Sequence, residues 1–140
     1  MSDAIWIIIG IFLIFVIYTI YRRFKTMQQY DPEQDSKKLI KLTDNNFKKE
    51  ISKGVVLVDF WAPWCAPCRM IGPVVSDLAD DFDGKAKIGK LNVDENKKIA
   101  AEFGIRSIPA LILFKEGQPV QKFTGVKPKS TFEKEINAHL

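Results

Sequence analysis

Cysteine and histidine are both scarce: the 140 residues hold two of the first and one of the second. Two cysteines are too few for a structural disulfide framework, and a chain of this length can bury a core without one. A closed zinc site needs four ligands, and the single histidine, His139, sits in the last predicted helix. No metal is expected. A basic stripe is lacking as well. The net charge is +4, residues 1–30 carry Arg22, Arg23 and Lys25 against Asp3, and the remainder is close to balanced. Lys127, Lys129 and Lys134 read as a solvated surface, so nucleic acid is not an expected partner. Internal repeats are missing too, and no low-complexity tract appears outside one apolar run near the start.

That run, Ala4 to Tyr21, is uncharged and dominated by Ile, Phe and Val. As a helix it rises ~27 Å, close to the ~30 Å of a hydrocarbon core. Trp6 at one end, with Tyr18 and Tyr21 at the other, suits the two interfacial belts. A cleaved signal peptide would want a basic start and a small-x-small site, whereas this chain starts Met-Ser-Asp-Ala and leaves the run as Thr-Ile-Tyr-Arg-Arg. The expectation is an uncleaved single-pass membrane helix within residues 1–23, contacting the membrane through residues 4–21. Arg22, Arg23 and Lys25 after the span place the following domain on the cytoplasmic side. The reverse orientation is the alternative, and it would make the domain a servant of envelope thiols or of cytochrome maturation.

Residues 24–37, with Asp31-Pro32 among them, read as a polar linker, and residues 38–140 as one domain. Leu39 to Leu42 suits a short strand. Thr43 offers an N-cap to a helix that places Phe47 and Ile51 on one face. Val55 to Phe60 is apolar on both faces, the pattern of a central strand covered on both sides. A helix follows with Val74, Val75, Leu78 and Phe82 on its apolar side, then a strand over 86–93. Asp94 can cap a helix through Ile99, Ala100 and Phe103, with Gly104 at C′. Ala110 to Phe114 is a second doubly buried strand, and Glu116-Gly117 turns it into an antiparallel partner at Val120 to Thr124. Ser130 and Glu133 have capping-box spacing for a last helix striped by Phe132, Ile136 and Leu140. The order β-α-β-α-β-α-β-β-α predicts an α/β domain: a central mixed sheet with helices on both faces.

The two cysteines, Cys65 and Cys68, stand three residues apart where the first doubly apolar strand hands over to a helix. At that spacing helical Cβ atoms lie about 5–6 Å apart, and a disulfide wants roughly 3.5–4.5 Å. A small tightening of one turn makes or breaks the bond, so the pair reads as a redox switch. The competing readings are a structural pair or half of a zinc site.

The surrounding residues carry more. Val58-Asp59-Phe60-Trp61-Ala62-Pro63-Trp64-Cys65-Ala66-Pro67-Cys68-Arg69-Met70, with Ile105-Arg106-Ser107-Ile108-Pro109 and Lys115-Glu116-Gly117-Gln118 downstream, resembles the thioredoxin family from about residue 38 to the C-terminus. The resemblance implies the thioredoxin fold and a protein-disulfide reductase. In it Cys65 is the attacking thiol, favoured as an anion by the helix N-terminus, and Cys68, expected to be the more buried, resolves the mixed disulfide. Asp59, a carboxylate in an apolar strand, should have a raised pKa. The resemblance makes it the proton acceptor for Cys68 and makes Lys90 its modulator. Pro109 is implied to be a cis-proline facing the cysteines, and Trp64, Ala66, Pro67, Ile108, Pro109 and Gly125 to line the substrate groove. Trp61 is expected to pack under the active-site loop and Pro73 to kink the long helix.

Two positions depart from the family pattern: Ala66 where glycine is usual between the cysteines, and Ala110 where threonine usually follows the proline. Alanine favours helix over glycine by roughly 0.5–1 kcal/mol, and acting on one redox state alone that shifts the potential by ~10–20 mV. The implied activity is reduction of protein disulfides by dithiol–disulfide exchange. It needs no cofactor beyond the cysteines, acts on disulfide-containing proteins, and is recharged by a thioredoxin-reductase-like flavoprotein drawing on NADPH. A reading of another class is a docking module with incidental thiols, although docking requires none of Cys65, Cys68, Asp59 and Pro109.

Overall fold

The computed structural model describes residues 2–27 and 35–140, with side chains from 6–22 and from 35 onward. The chain divides into two compact units, Met1–Tyr30 and Asp31–Leu140. The first is one helix, α1 (Ser2–Met27), whose large apolar side chains are exposed, from Trp6 to Tyr21. Among the described residues no helix is long and apolar enough to cross a membrane. This corrects the sequence reading: the single-pass span over residues 4–21, the membrane contact and the cytoplasmic placement drawn from it are not upheld. Of the charges that set the expected orientation, Asp3, Arg23 and Lys25 have side chains outside the described set, and so does the Asp31-Pro32 part of the expected linker.

The second unit contains β1 (Ile40–Leu42), α2 (Phe47–Ile51), β2 (Val55–Trp61), α3 (Ala66–Asp81), β3 (Lys87–Asn92), α4 (Lys97–Glu102), β4 (Ala110–Lys115), β5 (Gln118–Thr124) and α5 (Lys129–His139). The sheet runs β1-β3-β2-β4-β5. β1 and β2 lie parallel to β3, while β4 runs antiparallel to β2 and β5. The mixed sheet and the element order are those expected.

Alternation along β2 sorts the core into two layers. Val55 and Leu57 join Ile88, Leu111 and Leu113 beneath Ile71, Val75 and Leu78 of α3 and Phe132 and Ile136 of α5. Val56, Val58 and Phe60 face the other way, against Phe47 and Ile51 of α2 and Ile99 of α4. There Phe47 meets Phe114 edge-on with ring centroids 5.7 Å apart. Each fully buried side chain of this kind contributes about 1.5–3 kcal/mol. Asp59 falls on the odd-numbered face of β2, the face that α3 covers.

The helix ends differ from expectation in instructive ways. α2 starts at Phe47 with Asn46 as its N-cap, and Thr43 instead closes the turn before it, exchanging bonds with Asn46. α4 is capped across space: the backbone N–H of Ile99 donates to Asp44 Oδ1 at 3.0 Å, and Asp44 N–H donates to Asn96 Oδ1 at 2.9 Å. Asp94, the expected cap, stands outside this arrangement. At the other end of α4 the expected glycine stop is present. Gly104 has φ +60°, and Gly104 and Ile105 N–H donate to the carbonyls of Ala101 and Ala100, a Schellman closure. α5 begins after Pro128 with no side-chain cap, so the Ser130–Glu133 box is not formed. Leu140 is exposed while Phe132 and Ile136 are buried. The hairpin turn holds both Glu116 (φ 49°) and Gly117 (φ 81°) at positive φ, the two-residue turn whose twist matches the flanking strands.

Candidate active site

β2 ends at Trp61 on the odd-numbered face, and the chain turns through Pro63 and Trp64 into α3. Cys65 is the N-cap of α3, in extended conformation, and Cys68 stands in the first turn. The two are joined in a disulfide with Cα atoms 5.3 Å apart. Cys68 N–H donates to Cys65 Sγ at 3.2 Å. That is a side-chain N-cap built from sulfur: one of the four orphan donors of the helix start points at the atom that carries the charge when the thiol ionises. Pro67 near the helix start sacrifices a donor that would have had no helical acceptor. The expectation that Cys68 is the more buried needs correcting. Both residues are 3% exposed, because Cys65 is roofed by its own turn and packs with Cys68 and Ala62 against Trp61, Val93 and Ile108. What separates the sulfurs is that Cys65 accepts the helix N–H.

Around them Ala66 and Pro67 are exposed, and Trp64 stands 67% exposed. The Trp64 indole N–H donates to Asp94 Oδ2 at 2.9 Å, which holds the ring over the surface. Arg69 Nη2 donates to the Pro63 carbonyl at 3.0 Å, tying the helix start to the preceding turn. The Ile108–Pro109 bond is cis, as the resemblance implied. Pro109 is buried and Ile108 half-buried. Gly125, at φ +77°, donates its N–H to the Pro109 carbonyl at 2.9 Å. That carbonyl is thereby committed within the fold, and Ile108, just before β4, packs against the two cysteines. Trp61 packs on the cysteine cluster as expected. Pro73 lies inside α3, leaving the carbonyl of Arg69 without its usual helical donor, and the helix continues through it to Asp81.

Asp59 is fully buried, and among the described residues neither carboxylate oxygen has a hydrogen-bond partner. Burial pushes its pKa up from 3.8 to about 7, the Lys90 charge opposes the rise and the Asp35 charge adds to it. Asp59 and Lys90 are register partners on parallel strands, so both side chains leave the sheet on the same face. Lys90, itself 6% exposed, pairs with Asp35 Oδ2 at 3.0 Å and lies 4.5 Å from the centroid of the Trp61 ring. Lys90 therefore acts on Asp59 through space while its ammonium bonds elsewhere. Among the described residues no three His, Cys, Asp or Glu side chains converge to hold a metal.

Sequence reasoning missed Asp35, Arg69, Val93 and the partnership of Asp94 with Trp64. Arg69 was visible beside Cys68 but carries no motif of its own. The other three approach the site from distant stretches of chain, and no local pattern announces them.

Comparison with known proteins adds a family. Residues 38–138 match the family model described as thioredoxin. A thioredoxin of Staphylococcus haemolyticus is 54% identical over 102 residues, 73% of this chain and 98% of its own length. The thioredoxin of Staphylococcus saprophyticus is 55% identical over the same extent, and that of Staphylococcus aureus 51%.

Proposed function

We propose that this chain, which belongs to the thioredoxin family, carries out the family's reaction with Cys65 as the attacking thiol, Cys68 as the resolving thiol and Asp59 as the proton acceptor between them. The chain is a thiol–disulfide oxidoreductase of the protein-disulfide-reductase type, and its redox group is the Cys65–Cys68 pair. Its family acts on protein disulfides and draws electrons from a reductase. A flavoprotein using NADPH as that reductase belongs to the present proposal, as does a redox domain spanning residues 38–140.

In the reduced protein Cys65 ionises, stabilised by the Cys68 N–H and the start of α3. Its thiolate attacks one sulfur of a substrate disulfide, forming a mixed disulfide and expelling the first substrate thiolate. Cys68 then gives its proton to Asp59 and attacks Cys65 Sγ. The Cys65–Cys68 bond forms and the second substrate thiolate leaves, so two electrons have passed to the substrate. The disulfide state described above is the product of this half-reaction. Asp59 suits its part because a base with a pKa near the working pH is the best compromise between availability and strength. Lys90 modulates Asp59 through its charge. Trp64, Ala66, Pro67, Ile108, Pro109 and Gly125 form the groove, with the Ile108 edge receiving an extended substrate segment.

The observation that carries this assignment is the Cys68 N–H bonded to Cys65 Sγ at the N-cap. Insulin reduction tests it. Cys65→Ser abolishes turnover and traps no substrate. Cys68→Ser also abolishes turnover but accumulates a mixed disulfide on Cys65. Accumulation on Cys68 in the Cys65→Ser protein would reverse the two roles.

A further inference from the structure

The stretch just before the sheet, residues 35–38, is bonded into the domain. Ser36 N–H donates to Ser76 Oγ at 2.8 Å and Ser36 Oγ to Asp80 Oδ1 at 2.5 Å, and Lys38 pairs with Asp83. All three partners follow or lie within α3, the helix that carries both cysteines. This fixes the backbone beside Asp35, whose carboxylate meets the Lys90 ammonium at 3.0 Å with the two side chains only 14% and 7% exposed. The pair borders a cleft of about 500 Å³ that Trp61, Asn92, Lys41 and Glu95 also line.

We propose that Asp35 is a positioning residue for the proton transfer at Asp59: it holds the Lys90 ammonium in a buried ion pair, so that this charge is shared and not given wholly to the Asp59 carboxyl. Lys90 and Asp59 leave adjacent parallel strands at the same register, and a lysine beside a buried carboxylate would ordinarily pair with it and keep it ionised. Both Asp59 oxygens are nonetheless unbonded, while the ammonium sits between the Asp35 carboxylate and the Trp61 ring. A carboxylate paired directly with a lysine is a weak base. One whose lysine is engaged elsewhere stays basic enough to take a thiol proton. The electrostatics agree in sign, since Lys90 lowers the Asp59 pKa and Asp35 raises it. The charges that act on Asp59 are thus Lys90 from β3 and Asp35 from the segment before β1, with Lys41 and Glu95 on the wall of the cleft.

The inference rests on the reading of Asp59 as proton acceptor, and its test separates the two. Carboxyl-carbon NMR titration of the full-length oxidised protein, in which neither thiol titrates, follows Asp59 directly. Asp35→Asn removes a charge that raises the Asp59 midpoint and releases one that lowers it, so the midpoint falls by about 1 unit, while Asp35→Glu keeps it close to that of the parent. Stopped-flow measurement of mixed-disulfide resolution then shows a slower step in Asp35→Asn near pH 7. An unmoved Asp59 midpoint in Asp35→Asn overturns the proposal, as does an Asp35→Glu protein that behaves like Asp35→Asn. Asp35→Ser is a second neutral variant, and failure of both neutral proteins to fold would make the pair structural and overturn it too. A lowered midpoint with an unchanged resolution rate supports the hold of Asp35 on Asp59 and refutes Asp59 as the acceptor.

Discussion

A carboxyl group with both oxygens unbonded in the middle of a sheet destabilises its own fold whenever it is charged. The Asp59 carboxyl titrates near 3.8 when unfolded and near 7 when folded. Between those values the native state holds a proton that the unfolded state has lost. Its contribution is therefore fully favourable below about pH 3.8 and fades as pH rises through 7, a difference of roughly 4 kcal/mol for this group alone. Asp59→Asn should accordingly flatten the pH dependence of stability. Urea unfolding near pH 8 shows the variant gaining on the parent, the gain shrinks toward pH 4, and the mixed-disulfide resolution step slows. A parallel pair of stability curves would refute the burial argument. At Gly89 the sequence offers a glycine inside a strand and no reason for it. The reason is a close approach: a Cβ there would stand 2.7 Å from Leu42 Cδ1 and 3.2 Å from the Ile40 carbonyl oxygen. Gly89→Ala is expected to lower stability by about 1–3 kcal/mol through overpacking between β1 and β3, measured as a lower denaturation midpoint. Asp59 was legible because a charged residue interrupts an apolar run. Asp35 was not, since 55 residues separate it from Lys90 and nothing local marks it.

At the scale of elements, strands and hairpins announced themselves more clearly than helix ends. The doubly apolar runs Val55–Phe60 and Ala110–Phe114 became the central strands, and the Glu116-Gly117 turn joined β4 to β5, because the patterns responsible lie within a few residues. Caps depended on what tertiary structure delivers. Thr43, Asp94 and Ser130 had the chemistry of caps, yet α4 receives its cap from Asp44, which lies on the far side of the cysteines in sequence. Removing that cap in Asp44→Ala should cost about 1 kcal/mol, read by thermal or chemical denaturation. Asp94→Ala should leave stability within about 0.5 kcal/mol, as for an exposed contact. It should instead release the Trp64 ring, seen as altered Trp64 fluorescence and a higher KM with kcat retained. Equal losses of stability in the two variants would contradict this division.

For the molecule as a whole, the boundary between the two compact units predicts independence. A fragment starting at Asp31 should keep the thermal midpoint of the redox domain and its insulin-reducing activity. A fragment starting at Leu39 should fold but show an Asp59 titration moved to lower pH, since it lacks Asp35 and the Ser36 tie. The apolar N-terminal run was the most misleading stretch at this scale. Its composition suggested a span, whereas among the described residues no helix is long and apolar enough to cross a membrane. The sheet order β1-β3-β2-β4-β5 has a further consequence, in the order of synthesis. The cysteines leave the ribosome about forty residues before Ile108 and Pro109, and β4, which closes the sheet beside β2, comes with the latter. A growing chain thus carries its pair of thiols before it carries the residues proposed to choose their targets. On that proposal discrimination is acquired last, because a chain ending after α4 holds both cysteines without Ile108, Pro109 and Gly125.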